Sequence, residues 1–337
     1  MRKRLWVALT LAGAIAWGGA IAQAADKVNV AEAGGAMFRL PFYIAVQNGY
    51  FKDEGLDLQI VETRTGSDSV KMLAGGTVDL MIGQLIDAVQ IAKQGIPVRG
   101  VAMATNRITN SILVRSDLAD QIRSLKDLKG QPYGVTGVGS GTWQFALYAA
   151  KQEGLQVDDL NIVGVGVNAN VIAAMKSKRV AVLSYAEPET LMLVDDGTAR
   201  MLIDAADPAT HARLFGPEYL DDWVMTSPDF AKSHPKQTQA FVNGFQSALN
   251  WLSSHSAAEA AALLAAYPAF QGMDRKYLAA SVKRMGVPKT TVVTHAAYDG
   301  AIKLPLAVGA LDKETPFDQI VDNTFAIAAA KAHPPKP

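Results

Sequence analysis

The sequence predicts an α/β protein with two lobes, each built around an open, mostly parallel sheet. Residues 28–60 read as strand, loop, helix and strand, which is the repeating unit of parallel sheets. Strand and helix patterns then alternate as far as residue 226, and only helical patterns follow. Once a targeting segment is set aside, about 310 residues remain, which is enough for two hydrophobic cores.

The first unit lies in LPFYIAVQNGYFKDEGLDL, residues 40–58. Pro41 suits the first turn of a helix, because proline has a fixed φ and no N–H to satisfy there. Gly49 is a natural end for that helix, and the aromatic pair Tyr50 and Phe51 can fold back on it. A strand with alternating apolar residues follows. Ligands bind at the carboxyl ends of strands in such sheets, so the loop 34–40 is expected to face a crevice.

The rest of the chain supplies further elements in turn. Strands are predicted at 78–82, 98–102, 111–114, 133–136, 161–165, 180–184, 201–203 and 223–226. Short helices are predicted between most of these strands. After the last strand, helical patterns occupy 235–252, 256–265, 274–284, 296–308 and 316–330. This order favours two α/β lobes, with the chain crossing between them twice.

Three motifs of the first unit occur in a fixed order: PFYIA at 41–45, NGYF at 48–51 and EGLDL at 54–58. Together they resemble the opening of periplasmic substrate-binding proteins of the nitrate/sulfonate/taurine type. That group includes relatives similar to the pyrimidine-precursor binding proteins of thiamine biosynthesis. SLKDLKG at 124–130 also resembles the entry to the second lobe of this family. The resemblance is clear to about residue 185 and looser beyond.

The resemblance implies the type II fold of periplasmic binding proteins, in which two strands form a hinge between lobes. It places the two crossings near 111–115 and 223–227. The expected organisation is a signal peptide at 1–24, a first segment of lobe 1 at 25–112, lobe 2 at 113–225, and a mainly helical second segment of lobe 1 at 226–337. Such a hinge lets the lobes close over a ligand.

Residues 1–24 have the pattern of a secretory signal. Arg2, Lys3 and Arg4 precede an apolar run, and Ala22-Gln23-Ala24 fits the small-x-small cleavage rule. Cleavage after Ala24 would release the protein into a periplasm. The alternative is a retained membrane anchor, which is disfavoured because glycines dilute the run and no stop-transfer flank follows.

The chain contains no cysteine, which excludes disulfides, thiol catalysis and lipid anchoring through a lipobox. Without the segment 1–24, the remaining 29 basic and 32 acidic residues leave a net charge of −3. A nearly neutral, slightly acidic surface argues against nucleic acid or an anionic membrane as partner.

The glycine-rich loop GVGSGT at 137–142 lies between a predicted strand and a predicted helix. Glycines let the backbone approach a ligand, and free N–H groups at a helix start attract an anionic group. The hydroxyls of Ser140 and Thr142 can donate as well. The alternative is that these residues only cap the helix and turn the chain. The loop is neither a dinucleotide fingerprint nor a Walker motif.

Further candidates follow predicted strand ends. Arg39 could pair with a carboxylate or sulfonate, and the Gln84 amide would point into the same crevice. Arg39 could instead be a solvated surface residue. Glu187 would need a cationic partner if it is buried, and a hinge-side salt bridge is the alternative for it. The full set of predicted ligand-binding residues is Phe38, Arg39, Gln84, Ser140, Gly141, Thr142, Trp143, Asn168, Tyr185 and Glu187.

No catalytic, metal or cofactor site is predicted. The five histidines are scattered without paired metal spacing, and GVGSG does not match the GxSxG nucleophile motif. We expect a monomeric solute receptor of an ABC importer that binds a small organic anion, with pocket aromatics tolerating a planar ligand, and that contacts a permease in the inner membrane. The alternatives are an exported pyrimidine-related enzyme and a sensory subunit not coupled to transport.

Overall fold

The computed structural model describes residues 25–33, 37–63 and 65–336. The predicted signal segment 1–24 and part of the loop 34–40 lie outside the described residues. The strands are β1 Asp26–Ala33, β2 Leu56–Thr63, β3 Leu80–Gln84, β4 Arg99–Met103, β5 Ser111–Arg115, β6 Pro132–Val135, β7 Asn161–Gly164, β8 Val182–Tyr185, β9 Ala199–Asp204 and β10 Asp222–Thr226.

The α-helices surround these strands. They are α1 Leu40–Gln47, α2 Tyr50–Asp53, α3 Gly66–Ala74, α4 Leu85–Lys93, α5 Gly141–Gln152, α6 Ala169–Lys176, α7 Glu189–Asp195, α8 Pro208–Phe215, α9 Pro228–Ser233, α10 Pro235–Ser254, α11 Ala257–Leu264, α12 Arg275–Arg284, α13 His295–Ala307, α14 Phe317–Ile320 and α15 Thr324–Ala332. Short 3-10 turns occur at several connections, including Met37–Arg39 and Leu125–Leu128.

The strands form two five-stranded sheets among the described residues. The first has the order β2-β1-β3-β10-β4, and the second has the order β7-β6-β8-β5-β9. Each sheet is parallel except for one strand: β10 runs antiparallel between β3 and β4, and β5 runs antiparallel between β8 and β9. We call the unit around the first sheet lobe 1 and the unit around the second sheet lobe 2. The predicted fold class is confirmed.

The chain changes sheets between β4 and β5 and returns between β9 and β10. The stretches predicted as crossings are therefore strands themselves. β10 pairs wholly with the first sheet, so residues 222–225 belong with lobe 1. The predicted boundary had placed them in lobe 2. The apolar pattern identifies a strand, but the sheet it joins depends on distant partners. β5 pairs wholly with the second sheet, so residues 111 and 112 belong with lobe 2, whereas the prediction placed them in lobe 1. The remaining lobe boundaries stay a prediction.

The first unit folds as its sequence predicts. Helix α1 has Pro41 in its first turn, and residues 40–45 are all buried, because the helix packs against α10 and α11. Gly49 has a φ of 76°, in the left-handed region that glycine favours. Phe51 then packs back on Phe42 at 5.9 Å between ring centroids and stacks on Phe241 at 4.7 Å. This aromatic cluster packs α2 against α1 and α10.

Some helices of the structure differ from the prediction. The helix expected at 316–330 is divided into α14 and α15, because Val321 bridges to Gly100 and the Asp322 N–H donates to the Gly100 carbonyl. Those contacts pull the chain onto the edge of the first sheet. Helix α8 was not predicted, although Asp207 caps it and Pro208 opens it. Short helices with few apolar residues give a weak periodic signal.

Gly100 provides a test of the packing in lobe 1. A Cβ atom at this position of β4 would overlap the ring of Trp223, which is fully buried in β10. Gly100→Ala is therefore expected to lower the free energy of unfolding by about 3 kcal/mol, because a rigid ring must move. Urea denaturation followed by far-UV circular dichroism measures this change.

Gly134 in β6 is the matched control. Its added Cβ would lie 3.2 Å from the nearest side-chain atoms, so Gly134→Ala should cost less than about 1 kcal/mol. An equal loss of stability in the two variants would show that the contact with Trp223 does not determine the size of the side chain tolerated at residue 100.

Candidate functional site

A cavity of about 290 Å³ lies between the two lobes. Its walls come from the carboxyl ends of parallel strands in both sheets, including Ala33, Gln84, Thr136 and Tyr185. Asn110, on the first connection between the sheets, also lines it. The sequence predicted a crevice at these strand ends, because loops that follow parallel strands meet at one edge of a sheet.

The structure brings nine of the ten predicted residues to this cavity: Phe38, Arg39, Gln84, Ser140, Gly141, Thr142, Asn168, Tyr185 and Glu187. The prediction for Trp143 needs correction. Its side chain packs against the hydrophobic core and is not part of the cavity wall, because the third position of α5 turns it away from the loop. That the other nine bind a ligand stays a prediction.

The glycine-rich loop is held by its own hydroxyl groups. Ser140 Oγ accepts the Trp143 N–H at 3.3 Å and donates to the Gly137 carbonyl at 2.7 Å. Thr142 Oγ1 accepts the Thr136 N–H at 2.9 Å. Ser140 is thus the N-cap of α5, which was the alternative considered for it. The rigid loop presents the start of a twelve-residue helix to the cavity, where the helix dipole favours a negative or acceptor group.

Arg39 is buried and already makes contacts within lobe 1. Its guanidinium is 3% exposed and lies at the base of the cavity. Nη1 donates to the Ala33 carbonyl at 2.6 Å, and Nε donates to the Ile82 carbonyl at 3.3 Å and lies 3.7 Å from Asp222 Oδ2. Arg39 is neither solvated nor free to pair through these two nitrogens. The sequence could not show that Asp222, at the start of β10, supplies a carboxylate to this site.

Several carboxyl groups are buried near Arg39. Burial raises the pKa of Asp87 to about 6 and that of Asp221 to about 7, and Arg39 only partly opposes this. Asp87 Oδ2 accepts the Gln84 N–H at 2.8 Å, and Asp221 Oδ1 accepts Gln84 Nε2 at 3.0 Å. Gln84 also reaches lobe 2, since a Cβ atom on Gly141 would overlap its amide. Gln84 therefore connects the acidic base to the glycine-rich loop.

Asp221 makes stability depend on pH. Its folded-state pKa is raised from the usual 3.8 to about 7, so the folded protein holds this proton more tightly than the unfolded chain. The resulting stability is complete below about pH 4 and is lost as the pH rises to about 7. Asp221→Asn keeps an acceptor for Gln84 without this loss. Relative to wild type, its free energy of unfolding should rise by up to about 4 kcal/mol between pH 4 and 8.

Urea unfolding of both proteins at about pH 4, 6 and 8 checks this expectation. The comparison at each pH cancels the contributions of other titrating groups, such as His211, whose pKa burial lowers to about 4. A difference between the two proteins that stays constant with pH would contradict the buried, proton-binding state of Asp221.

Helix α12 of lobe 1 joins lobe 2 through ion pairs. Arg284 Nε lies 2.5 Å from Glu187 Oε1, and Arg284 Nη2 lies 2.5 Å from Asp204 Oδ1. At the other end of the helix, Lys276 Nζ lies 2.8 Å from Asp195 Oδ2. For Glu187 the structure shows the salt bridge that was the alternative to ligand binding. Its pKa is raised to about 7 by burial, although Arg284 lowers it.

Arg284 is expected to favour the closed arrangement of the lobes. Arg284→Gln leaves Glu187 buried without a cation, which is costly until the lobes separate and solvate it. We expect a larger radius of gyration of the ligand-free protein by small-angle X-ray scattering. Lys283→Gln is the control, because Lys283 is exposed on the same turn and forms no ion pair among the described residues. Identical scattering curves for the two variants would rule out this role.

Within residues 25–33, 37–63 and 65–336, no three histidine or acidic side chains are grouped so as to hold a metal ion. In the same part of the chain, no helix has the length and apolar character needed to cross a membrane.

Comparison with known proteins identifies the family of the chain and solved structures that share its fold. A family model described as "NMT1/THI5 like" matches residues 39–259. Two similar solved structures are a protein from Bordetella bronchiseptica and the alkanesulfonate-binding protein SsuA from Xanthomonas axonopodis pv. citri bound to MOPS. The first has a TM-score of 0.83 at 24% identity and covers 91% of this chain and 98% of that one. The second has a TM-score of 0.72 at 19% identity, with coverage of 90% and 99%. These likenesses show the two-lobed fold.

Two curated relatives match shorter stretches. The 4-amino-5-hydroxymethyl-2-methylpyrimidine phosphate synthase THI12 of Saccharomyces cerevisiae is 29% identical over 133 residues. This alignment covers 39% of the chain and only 38% of the yeast protein. The formylaminopyrimidine-binding protein of Halalkalibacterium halodurans is 32% identical over 97 residues, which is 28% of each chain.

Proposed function

Because the chain belongs to the NMT1/THI5-like family, we propose that it is the solute receptor of an ABC importer and acts in the periplasm. The observation that carries this proposal is the cavity enclosed between two lobes of the periplasmic binding protein fold. The alkanesulfonate-binding relative, solved bound to MOPS, and the formylaminopyrimidine-binding relative support a receptor for a small organic solute. The receptor is proposed to act as a monomer and to contact a permease of the inner membrane.

The proposed mechanism is closure of the lobes over the solute. An acidic or other acceptor group of the ligand docks at the start of α5, beside Ser140 and Gly141. Gln84 and Phe38 then approach from lobe 1, and the contacts of α12 hold the closed form. The closed form differs in shape from the open one, which lets the permease distinguish a loaded receptor from an empty one.

The size and lining of the cavity define the ligand class. A volume of about 290 Å³ is at the lower end of the range for small-molecule sites, so the ligand is a compact solute. Phe38 of lobe 1 and Tyr185 of lobe 2 both line the cavity and suit a planar group. The buried carboxyl groups of the lining argue against a ligand whose only polar groups are anionic.

A second candidate is an enzyme acting on a pyrimidine or similar ring, as the partial match to the yeast synthases would suggest. The described cavity residues include no histidine, and the chain has no cysteine. A general base or nucleophile would have to come from the acids, Lys71, Tyr185 or the hydroxyl groups of the lining. A sensory subunit would have the same cavity, and adjacent permease and ATPase genes would distinguish importer from sensor.

Thermal unfolding of residues 25–337 against a panel of solutes tests the receptor. The panel holds alkyl and aryl sulfonates, aryl carboxylates, nitrate, bicarbonate and aminopyrimidines. At one hundred times Kd a ligand adds about 2.7 kcal/mol and raises Tm by several degrees. We expect at least one solute to do so and to be recovered unchanged after long incubation.

Two alanine variants locate the binding site. Gly141→Ala places a methyl group against Gln84 and should weaken the Tm shift, because the lobes cannot close fully. Gly137→Ala in the same loop meets no atom within 4 Å and should retain it. Chemical conversion of the solute would favour the enzyme. A shift that is the same in both variants would place binding elsewhere.

A further inference from the structure

Glu189 is a buried carboxyl group of the cavity that the sequence did not single out. It is the first residue of α7, it is 4% exposed, and it lines the cavity in lobe 2. Among the described residues, no ion pair and no hydrogen bond from another residue reaches its carboxyl group. Burial raises its pKa to about 7, and only its own backbone N–H opposes this.

The other acidic residues of the cavity have partners. Asp87 accepts the Gln84 N–H, Glu187 pairs with Arg284, and Asp68 lies 3.8 Å from Lys71 Nζ. Asp68 is also partly exposed, so water solvates it. Burying a carboxyl group without a partner costs free energy. Because Glu189 lines the cavity, a group bound in the cavity can serve as its partner.

We propose that Glu189 is a specificity-determining residue that accepts hydrogen bonds from an N–H donor group of the ligand. This inference rests on the proposed receptor function and refines the class of its ligand. The donor is an amidine, an amide or an amino group on a planar ring, since Tyr185 and Phe38 line the same cavity. A ligand that offered only a carboxylate or sulfonate at this position would be repelled.

The two ends of the cavity are then complementary to different groups. The start of α5 favours an acceptor or negative group, whereas the carboxyl group of Glu189 requires a donor. Both line the cavity from lobe 2 and need no movement of lobe 1 to be in place. A ligand with a donor and an acceptor therefore binds lobe 2 first, and lobe 1 closes over it.

The test uses three probes that share a benzene ring and differ in charge: benzamidine, benzamide and benzoate. Isothermal titration calorimetry of residues 25–337 should give the affinity order benzamidine, then benzamide, then benzoate. Glu189→Gln should lower the affinity for benzamidine by about 10- to 100-fold, because the amidinium then meets a neutral acceptor in place of a carboxylate. Its Tm should not fall, because the change removes an uncompensated buried charge.

Asp68→Asn is the matched control, since it makes the same chemical change on the same cavity at a partnered residue. It should alter the affinity for benzamidine by less than about threefold. Equal effects of the two variants, tighter binding of benzoate than of benzamidine, or no binding of either N–H probe at 10 mM would overturn the role of Glu189. If the role of Glu189 is overturned but a sulfonate or carboxylate still binds, the proposed receptor function is retained. If no solute of the panel binds, the receptor function itself is contradicted.

Discussion

The buried guanidinium of Arg39 is the constraint on which the lobe 1 half of the site depends. It joins the carboxyl end of β1, through the Ala33 carbonyl, to β3, through the Ile82 carbonyl, and its Nε lies 3.7 Å from Asp222 Oδ2 at the start of β10. These three strands come from both parts of the chain that build the first sheet. A single charged group thus fixes the return of the chain to lobe 1 and the base of the cavity.

The acidic groups around Arg39 outnumber it. Glu32, Asp221 and Asp222 are buried there with raised pKa values, and Arg39 lowers each of them less than burial raises it. One cation cannot hold so many carboxylates ionised in a poorly solvated region, so protons take the place of missing cations. The base of the cavity is therefore a hydrogen-bonded, proton-dependent structure rather than an open anion site. Gln84 extends that network to the loop of lobe 2.

Much of this fold follows from local sequence patterns. Pro41, Gly49 and the aromatic residues after it specify the β1–α1–β2 unit, because their backbone and packing demands are met by neighbours in the sequence. The loop 137–142 is predictable for the same reason, including the cap by Ser140. Strand ends such as Gln84 and Tyr185 reach the cavity because parallel strands place them there.

Other features depend on contacts between distant parts of the chain and have no local signal. The antiparallel placement of β10 is decided by its pairing with β3 and β4. The contacts of Arg39 and Arg284 are decided by carboxylates about 180 and 100 residues away in the sequence. Patterns that extend over a few residues cannot reveal contacts at such separations. Trp143 shows the converse error: its neighbours in sequence line the cavity, but its helical position directs it into the core. Glu189 lies only two residues after the predicted Glu187, and nothing in the sequence tells which of the two has a partner.

The two glutamates after β8 show how recognition and closure are divided within one turn of chain. Glu187 faces α12 of lobe 1 and forms an ion pair with it, whereas Glu189 faces the cavity without a partner. Both residues belong to the same short segment after β8, so the ligand contact proposed for Glu189 would form beside the ion pair that already joins Glu187 to Arg284. The proposed recognition in lobe 2 and the observed contact with lobe 1 therefore share one stretch of backbone.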